Sequence, residues 1–176
     1  GVQSCHLIGS AAGGSTALDF VLTDPDRVLS AVIASSFMSI TEPEYQAALA
    51  RTRGDWFNTL PIEAKELSAS FRAMHPDGVA EWLAIYQLND LGADRSTIRQ
   101  PLAASINWTT LAANTVPLLL MTGGADLFLP PALLRATAPK VANSEVLIVP
   151  DVGHPIFAEA PDIFNRLVLE FIARSA

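Results

Sequence analysis

Hydrophobic residues along the 176-residue chain form short continuous runs near both ends and recur at helical spacing in the middle. "VQSCHLI" (Val2 to Ile8) ends in the unbroken apolar stretch expected of a strand buried on both faces. Glycines follow, then the helical pattern "STALDFVLTD", the break "DPDR" and a second buried strand, "VLSAVIAS". From about Val116 the alternation returns, with the strand "VPLLLMTG", the helix "PALLRATAPKVA", the strand "SEVLIVP" and a closing amphipathic helix, "PDIFNRLVLEFIAR". Pro161 stands in the first turn of that last helix, where a missing N–H costs nothing. Strands alternating with helices predict an α/β fold, with a mostly parallel sheet covered by helices.

Between these parts no convincing strand is found. "TEPE" (Thr41 to Glu44) has the form of a capping box and predicts a helix start. Tyr45, Leu49, Thr52, Trp56 and Leu60 then continue at helical spacing, and "DGVAEWLAIYQLND" repeats the signal after the break at "HPDG". The expected organisation is therefore a core made of residues 1–37 and 113–176, interrupted by a helical insertion at 38–112. The insertion is rich in large apolar groups, Trp56, Phe57, Phe71, Met74, Trp82 and Tyr86, which either pack it onto the core or line a pocket.

Composition narrows the range of functions. Half of the residues are hydrophobic, which excludes a disordered chain, and the length suits one domain. The net charge of −7 and the scattered Lys and Arg leave no basic stripe for phosphates, so nucleic acid is not an expected partner. The longest apolar run, around Val116 to Met121, is far short of the roughly 20 residues of a membrane span. No membrane association is expected. Cys5 stands alone, which agrees with a reducing cytoplasm, and no clustered Cys or His pattern calls for a metal or another cofactor.

Three sites carry candidate chemistry. Gly9-Ser10-Ala11-Ala12-Gly13 has the form G-x-A-x-G, the strand-to-helix turn G-x-S-x-G with alanine at its centre. The turn pushes its central side chain above the sheet edge, and a Cβ at either flanking glycine is expected to collide with the neighbouring chain. The helix start beyond it offers backbone N–H groups, with that of Ala12 placed for an oxyanion. Taken alone, a glycine-rich turn fits close packing or a phosphate-binding loop equally well. Asp126 follows the strand "VPLLLMTG" and could be a plain turn residue, and His154 stands in a loop bounded by Gly153 and Pro155 where a lone histidine is commonly a solvated bystander. Together, position 11, Asp126 and His154 follow three different strands at one sheet edge, in the order nucleophile, acid, histidine. His6 and His75 are read as packing and turn residues, and Cys5 as part of the strand.

With these residues in place the chain resembles the carboxyl-terminal part of an α/β-hydrolase of the esterase, lactonase and C–C hydrolase type. "HLIGSAAGG" resembles the family's nucleophile elbow, "DPDRVLSAVIASS" its next helix-to-strand passage, "VPLLLMTGGADLFLP" its acid loop, and "VPDVGHPIFAEAPDIFNRLVLEFI" its histidine loop and last helix. The insertion falls where the family places its variable helical cap.

The resemblance implies an α/β-hydrolase fold, no cofactor, and a small-molecule substrate with an ester, lactone or activated ketone carbonyl. It implies a serine nucleophile where Ala11 stands, Asp126 and His154 as acid and base, and the Ala12 N–H as oxyanion donor. Ser10, Phe37, Trp82 and Phe128 are the expected substrate-binding residues. Alanine has no attacking oxygen, so an inactive Ser-to-Ala form of an ester or lactone hydrolase is expected. The alternatives are a C–C bond hydrolase with the same triad, or a non-catalytic ligand-binding protein on the hydrolase scaffold. The resemblance also implies a preceding half with further strands. The strand "VQSCHLI" is therefore expected to need a complementary amino-terminal polypeptide, possibly as a separate chain.

Overall fold

The computed structural model describes residues 1–88 and 101–175. Four strands, β1 (Cys5–Ser10), β2 (Val28–Ala34), β3 (Leu118–Gly123) and β4 (Ser144–Val149), form one sheet in the order β1-β2-β3-β4. All neighbours pair in parallel. Registers such as Ser10 with Ala34, Ala34 with Met121 and Met121 with Leu147 bring the carboxyl ends of the strands to a common edge.

Helix α1 (Ala12–Thr23) links β1 towards β2. Between β2 and β3 lie α2 (Pro43–Thr52), α3 (Asp55–Thr59), α4 (Ile62–Glu66), α5 (Ala69–Met74), α6 (Pro76–Gln87) and α7 (Trp108–Ala112). Then α8 (Pro131–Thr137) leads to β4, and α9 (Ile156–Glu159) and α10 (Pro161–Arg174) follow it. Residues 89 and 90, the end of the predicted helix "DGVAEWLAIYQLND", lie outside the described residues.

The two-residue period of the central strands divides the core into two layers. Ala31, Ile33, Leu118 and Leu120 face α1 and α8, packing with Leu18, Val21 and Leu134. Val32, Ala34, Leu119 and Met121 face the other way, onto Ile156, Phe164, Val168 and Phe171. The spacing of the last three puts one face of α10 on the sheet. Met38, Ile40, Tyr45, Leu49, Ile106 and Leu111, all within the helical stretch, join the first layer, so that stretch shares its core with the sheet.

Local expectations shift in three places. Only β2 and β3 are buried on both faces; β1 is an edge strand of this sheet, with Ile8 54% exposed. "TEPE" makes no capping box: Pro43 opens α2, the Glu42 side chain accepts from the Trp108 N–H (2.9 Å) instead of capping its own helix, and the Thr41 hydroxyl donates to the carbonyl of Ile106 (3.1 Å). Proline's fixed φ suits the first helical position, so Pro43 sets the helix start one residue beyond the expected one, and the Thr41 N–H also goes to Ile106. A capping box forms at α7, between Asn107 and Thr110. The long helix expected from Tyr45 to Leu60 is broken at Arg53 and Gly54 into α2 and α3, which leaves Trp56 half exposed.

Candidate active site

The turn from β1 into α1 is held in a conformation that L-residues rarely adopt. Ala11 has φ 50° and ψ −121°, and its N–H donates to the carbonyl of Ala34 on β2 (3.0 Å). Such a backbone costs about 1–3 kcal/mol and persists only where its surroundings impose it. The surroundings here are glycines. A Cβ on Gly9 would overlap the carbonyl of Gly13, and one on Gly14 would stand 2.5 Å from the Cβ of Ser36. Gly13 has open space, so of the two flanking glycines only Gly9 excludes a side chain; the second tight position is Gly14. Beyond the turn, the first N–H groups of α1 have no helical acceptor, and Ala12 is exposed.

The acid loop follows β3, and its geometry explains "TGGAD". A Cβ on Gly123 would overlap the carbonyls of Val152 and Gly153, because the acid and histidine loops cross there. The Gly124 N–H donates to Val149 (2.7 Å) and the Ala125 N–H to Val152 (2.9 Å), lacing the two loops together. This delivers Asp126, 2% exposed, onto His154, 8% exposed. Both carboxylate oxygens lie 3.0 Å from His154 Nδ1. Oδ1 also accepts from the N–H groups of Phe128 (2.7 Å) and Leu129 (2.9 Å), and Oδ2 from the Thr122 hydroxyl (3.0 Å).

Burial works to raise the pKa of Asp126, but the hydrogen bond and charge of His154, with the Leu129 and Phe128 N–H groups, outweigh it and hold the carboxyl below its ordinary value. An ionised carboxylate only accepts, so the shared proton sits on Nδ1 and Nε2 is left as the basic nitrogen.

The histidine loop is also tied to the helical stretch. His154 N–H donates to the carbonyl of Glu66 (2.7 Å). Glu159 accepts from the Ser68 N–H and hydroxyl (2.7 Å each) and from the Gly153 N–H (3.1 Å).

Ser10, Ala11, Trp82 and His154 line one cavity of about 360 Å³, together with Glu66 and Tyr86. Trp82 and Tyr86 stack with ring centroids 5.1 Å apart. Phe37 and Phe128 are not on this wall; both pack around Arg53, and Phe128 also lies against the His154 ring, 4.5 Å between centroids. Two ionisable groups near the site carry no motif in the sequence, Glu66 and Arg53. Burial raises the pKa of Glu66, a shift that His154 opposes and Asp126 reinforces. The remaining histidines are elsewhere: His6 bonds Ser30 across β1 and β2 (2.8 Å), and His75 packs on Phe71 in an exposed turn.

A parallel sheet with a strained turn after one strand, an acid after another and a histidine after a third defines the α/β-hydrolase class. Solved structures share the fold. The enol-lactonase from Burkholderia xenovorans LB400 superposes with a TM-score of 0.74 at 20% identity, over 98% of this chain and 66% of that one. A thermophilic esterase from Thermogutta terrifontis gives a TM-score of 0.69 at 20% identity, over 98% and 66%.

The chain belongs to the hydrolase family described as serine aminopeptidase, S33, whose family model matches residues 2–161. Among curated relatives, the uncharacterized carboxylesterase nap of Bacillus subtilis (strain 168) is 26% identical over 97% of this chain and 57% of its own length. The 2-hydroxy-6-oxononadienedioate/2-hydroxy-6-oxononatrienedioate hydrolase of Klebsiella pneumoniae is 28% identical over 99% and 64%. The chain thus spans about two thirds or less of the length of these relatives. No helix among the described residues is long and apolar enough to cross a membrane.

Proposed function

We propose that the protein is a serine hydrolase of carboxylic esters or lactones, here in an inactive form with alanine in place of its nucleophile. The observation that carries this reading is the strained backbone of Ala11 on the wall of the same cavity as His154, whose Nδ1 is bonded to a buried, ionised Asp126. A serine at position 11 attacks the carbonyl while His154 Nε2 takes its proton. Collapse of the tetrahedral adduct expels the alcohol, which takes that proton, and water repeats the sequence to free the acid. Asp126 fixes the imidazole and stabilises its charged form. The Ala12 N–H at the start of α1 receives the developing oxyanion. Trp82 and Ser10 contact the substrate from the cavity wall, and the helical stretch 38–112 acts as the cap that selects it.

The open edge of β1 pairs, in this reading, with a complementary amino-terminal polypeptide. The half-exposed Ile8 and the greater length of the relatives support it.

Restoring Ala11→Ser in the full-length protein, with assay on short p-nitrophenyl esters and lactones, tests the reading. Turnover is expected to rise on the order of a millionfold over the alanine form, by comparison with nucleophile loss in other triads. No gain on any carbonyl substrate refutes it and favours a ligand-binding protein on the hydrolase scaffold. A second reading, C–C bond hydrolysis by the same triad, draws on the Klebsiella relative. It is favoured if the serine form cleaves a ring-fission dienone and leaves esters intact.

A further inference from the structure

Arg53 ends α2 at the break before Gly54, within the helical stretch, yet its side chain reaches the acid loop. Nη2 donates to the carbonyl of Phe128 at 2.7 Å. The guanidinium carbon lies 5.4 Å from the centre of the Phe128 ring, 5.7 Å from that of Phe37 and 5.9 Å from that of Phe57. Two of those rings brace each other, Phe57 meeting Phe128 edge-on at 5.0 Å. The third is anchored through its backbone, since the Tyr45 hydroxyl donates to the Phe37 carbonyl (2.9 Å).

Arg53 is partly buried, and the burial that disfavours its charge is opposed by Asp126. Among the described residues Arg53 forms no ion pair, and its Nε is buried without a hydrogen-bond partner. A buried donor left unmade costs stability, which the three ring contacts, the bond to Phe128 and the nearby charge of Asp126 offset. Its geometry suggests what it does. Arginine presents a rigid planar fork that stacks on rings and donates at a fixed angle, which lysine cannot match. The residue it grips, Phe128, stands between the acid and the base: its N–H donates to Asp126 Oδ1, and its ring lies against the His154 imidazole at 40°.

We propose that Arg53 is a positioning residue, a clasp from the helical stretch that holds Phe128 and thereby sets the orientation of His154 on Asp126. The imidazole is then held at Nδ1 by the carboxylate and across its face by the clasped ring, while the backbone that carries it is tied to Glu66 through the His154 N–H. The acid–histidine pair comes from the core, and its alignment is completed by the helical stretch. The proposal rests on reading Asp126 and His154 as the acid–base pair.

The test is made on the full-length protein in its Ala11 form, by following the proton on His154 Nδ1 with nuclear magnetic resonance, assigned through its absence in His154→Asn. Arg53→Met keeps the stem and removes fork and charge; Arg53→Lys keeps the charge and removes the fork. Both variants are expected to speed exchange of this proton with water about tenfold, because the pair opens more readily. In the Ala11→Ser background both are expected to lower kcat by about 10- to 100-fold, the scale of a small misalignment, with KM little changed. Unchanged proton exchange in Arg53→Met overturns the proposal, as does a loss confined to KM, which assigns Arg53 to substrate contact. If Arg53→Met does not fold, Arg53→Lys decides on the same readouts, and wild-type exchange there overturns the role of the fork. If Ala11→Ser shows no turnover, the proton measurement still decides the clasp, so failure of the hydrolase reading is seen separately.

Discussion

Removing the carboxylate of Asp126 is expected to cost more in stability than neutralising it, and the hydrogen bonds give the size of the difference. In Asp126→Ala three donors lose their acceptor: the N–H groups of Phe128 and Leu129 and the Nδ1–H of His154. The Thr122 hydroxyl loses nothing, because its proton can go to the Leu129 carbonyl at 2.8 Å. Leu129 and His154 are buried, and donors left unmade in such places cost about 1–3 kcal/mol each. Near the lower end of that range, three of them amount to about 3–5 kcal/mol. Asp126→Asn keeps an oxygen for the two backbone donors and turns an amide NH₂ towards His154, which adapts by moving its proton to Nε2. That variant loses the charge assistance of one contact, about 1 kcal/mol. With a urea dependence of about 2 kcal/mol per molar, the alanine variant unfolds at a midpoint lower by about 1.5–2.5 M and the asparagine variant by about 0.5 M. Urea titrations followed by far-ultraviolet circular dichroism measure both. Midpoints for the two variants within about 0.3 M of each other would refute the view that Asp126 organises the acid loop through its backbone acceptors.

Further outcomes follow from the same structure. Gly14→Ala brings a Cβ to 2.5 Å from that of Ser36 and is expected to destabilise by about 1–3 kcal/mol, whereas Gly13→Ala, with nothing within 4 Å, is expected to be neutral or to stabilise by up to about 1 kcal/mol; thermal melting ranks the pair. Glu66 has its pKa raised in the folded protein by burial, so the stability it contributes is complete below its ordinary value of 4.5 and is lost as pH rises through the folded value. Glu66→Gln is therefore expected to melt like the parent at pH 4 and above it at pH 8, and the opposite ranking would show the carboxylate to be stabilised where it stands. Asp126 runs the other way. Its folded value lies below 3.8, its contribution is present above that pH, and it disappears on acidification through the lower folded value.

What could be read in the sequence was whatever depends on neighbours along the chain. The apolar runs of β2 and β3, the Pro161 start of α10 and the order of position 11, Asp126 and His154 all lie in local pattern. Parallel sheets collect the loops after their strands at one edge, so the placing of three residues far apart in sequence at that edge was legible. "TEPE" forms no box because its groups find distant partners: the Thr41 N–H and hydroxyl go to the Ile106 carbonyl, and Glu44 accepts from Trp108 and Lys140. Phe37 and Phe128 lie off the cavity wall because their rings pack around Arg53, 16 and 75 positions away in the chain, which no local pattern reveals. Arg53 and Glu66 themselves had no signal, since each stands in an ordinary polar helical stretch and gains its meaning only from what the fold places opposite it. The Gly14 contact with Ser36 was hidden for the same reason, while the crossing at Gly123 left a trace in the doubled glycine.

The backbone of Ala11 is bent although no nucleophile occupies it. Its conformation comes from the close approach of Gly9 to Gly13, from the Ser36 contact at Gly14 and from the bond to Ala34, and none of these involves the side chain at position 11. The position is thus a mount whose shape is independent of what is fitted to it. Any side chain placed there stands on the wall of the cavity that His154 also lines. One codon can therefore change the chemistry of this cavity wall while the backbone beneath it keeps its shape.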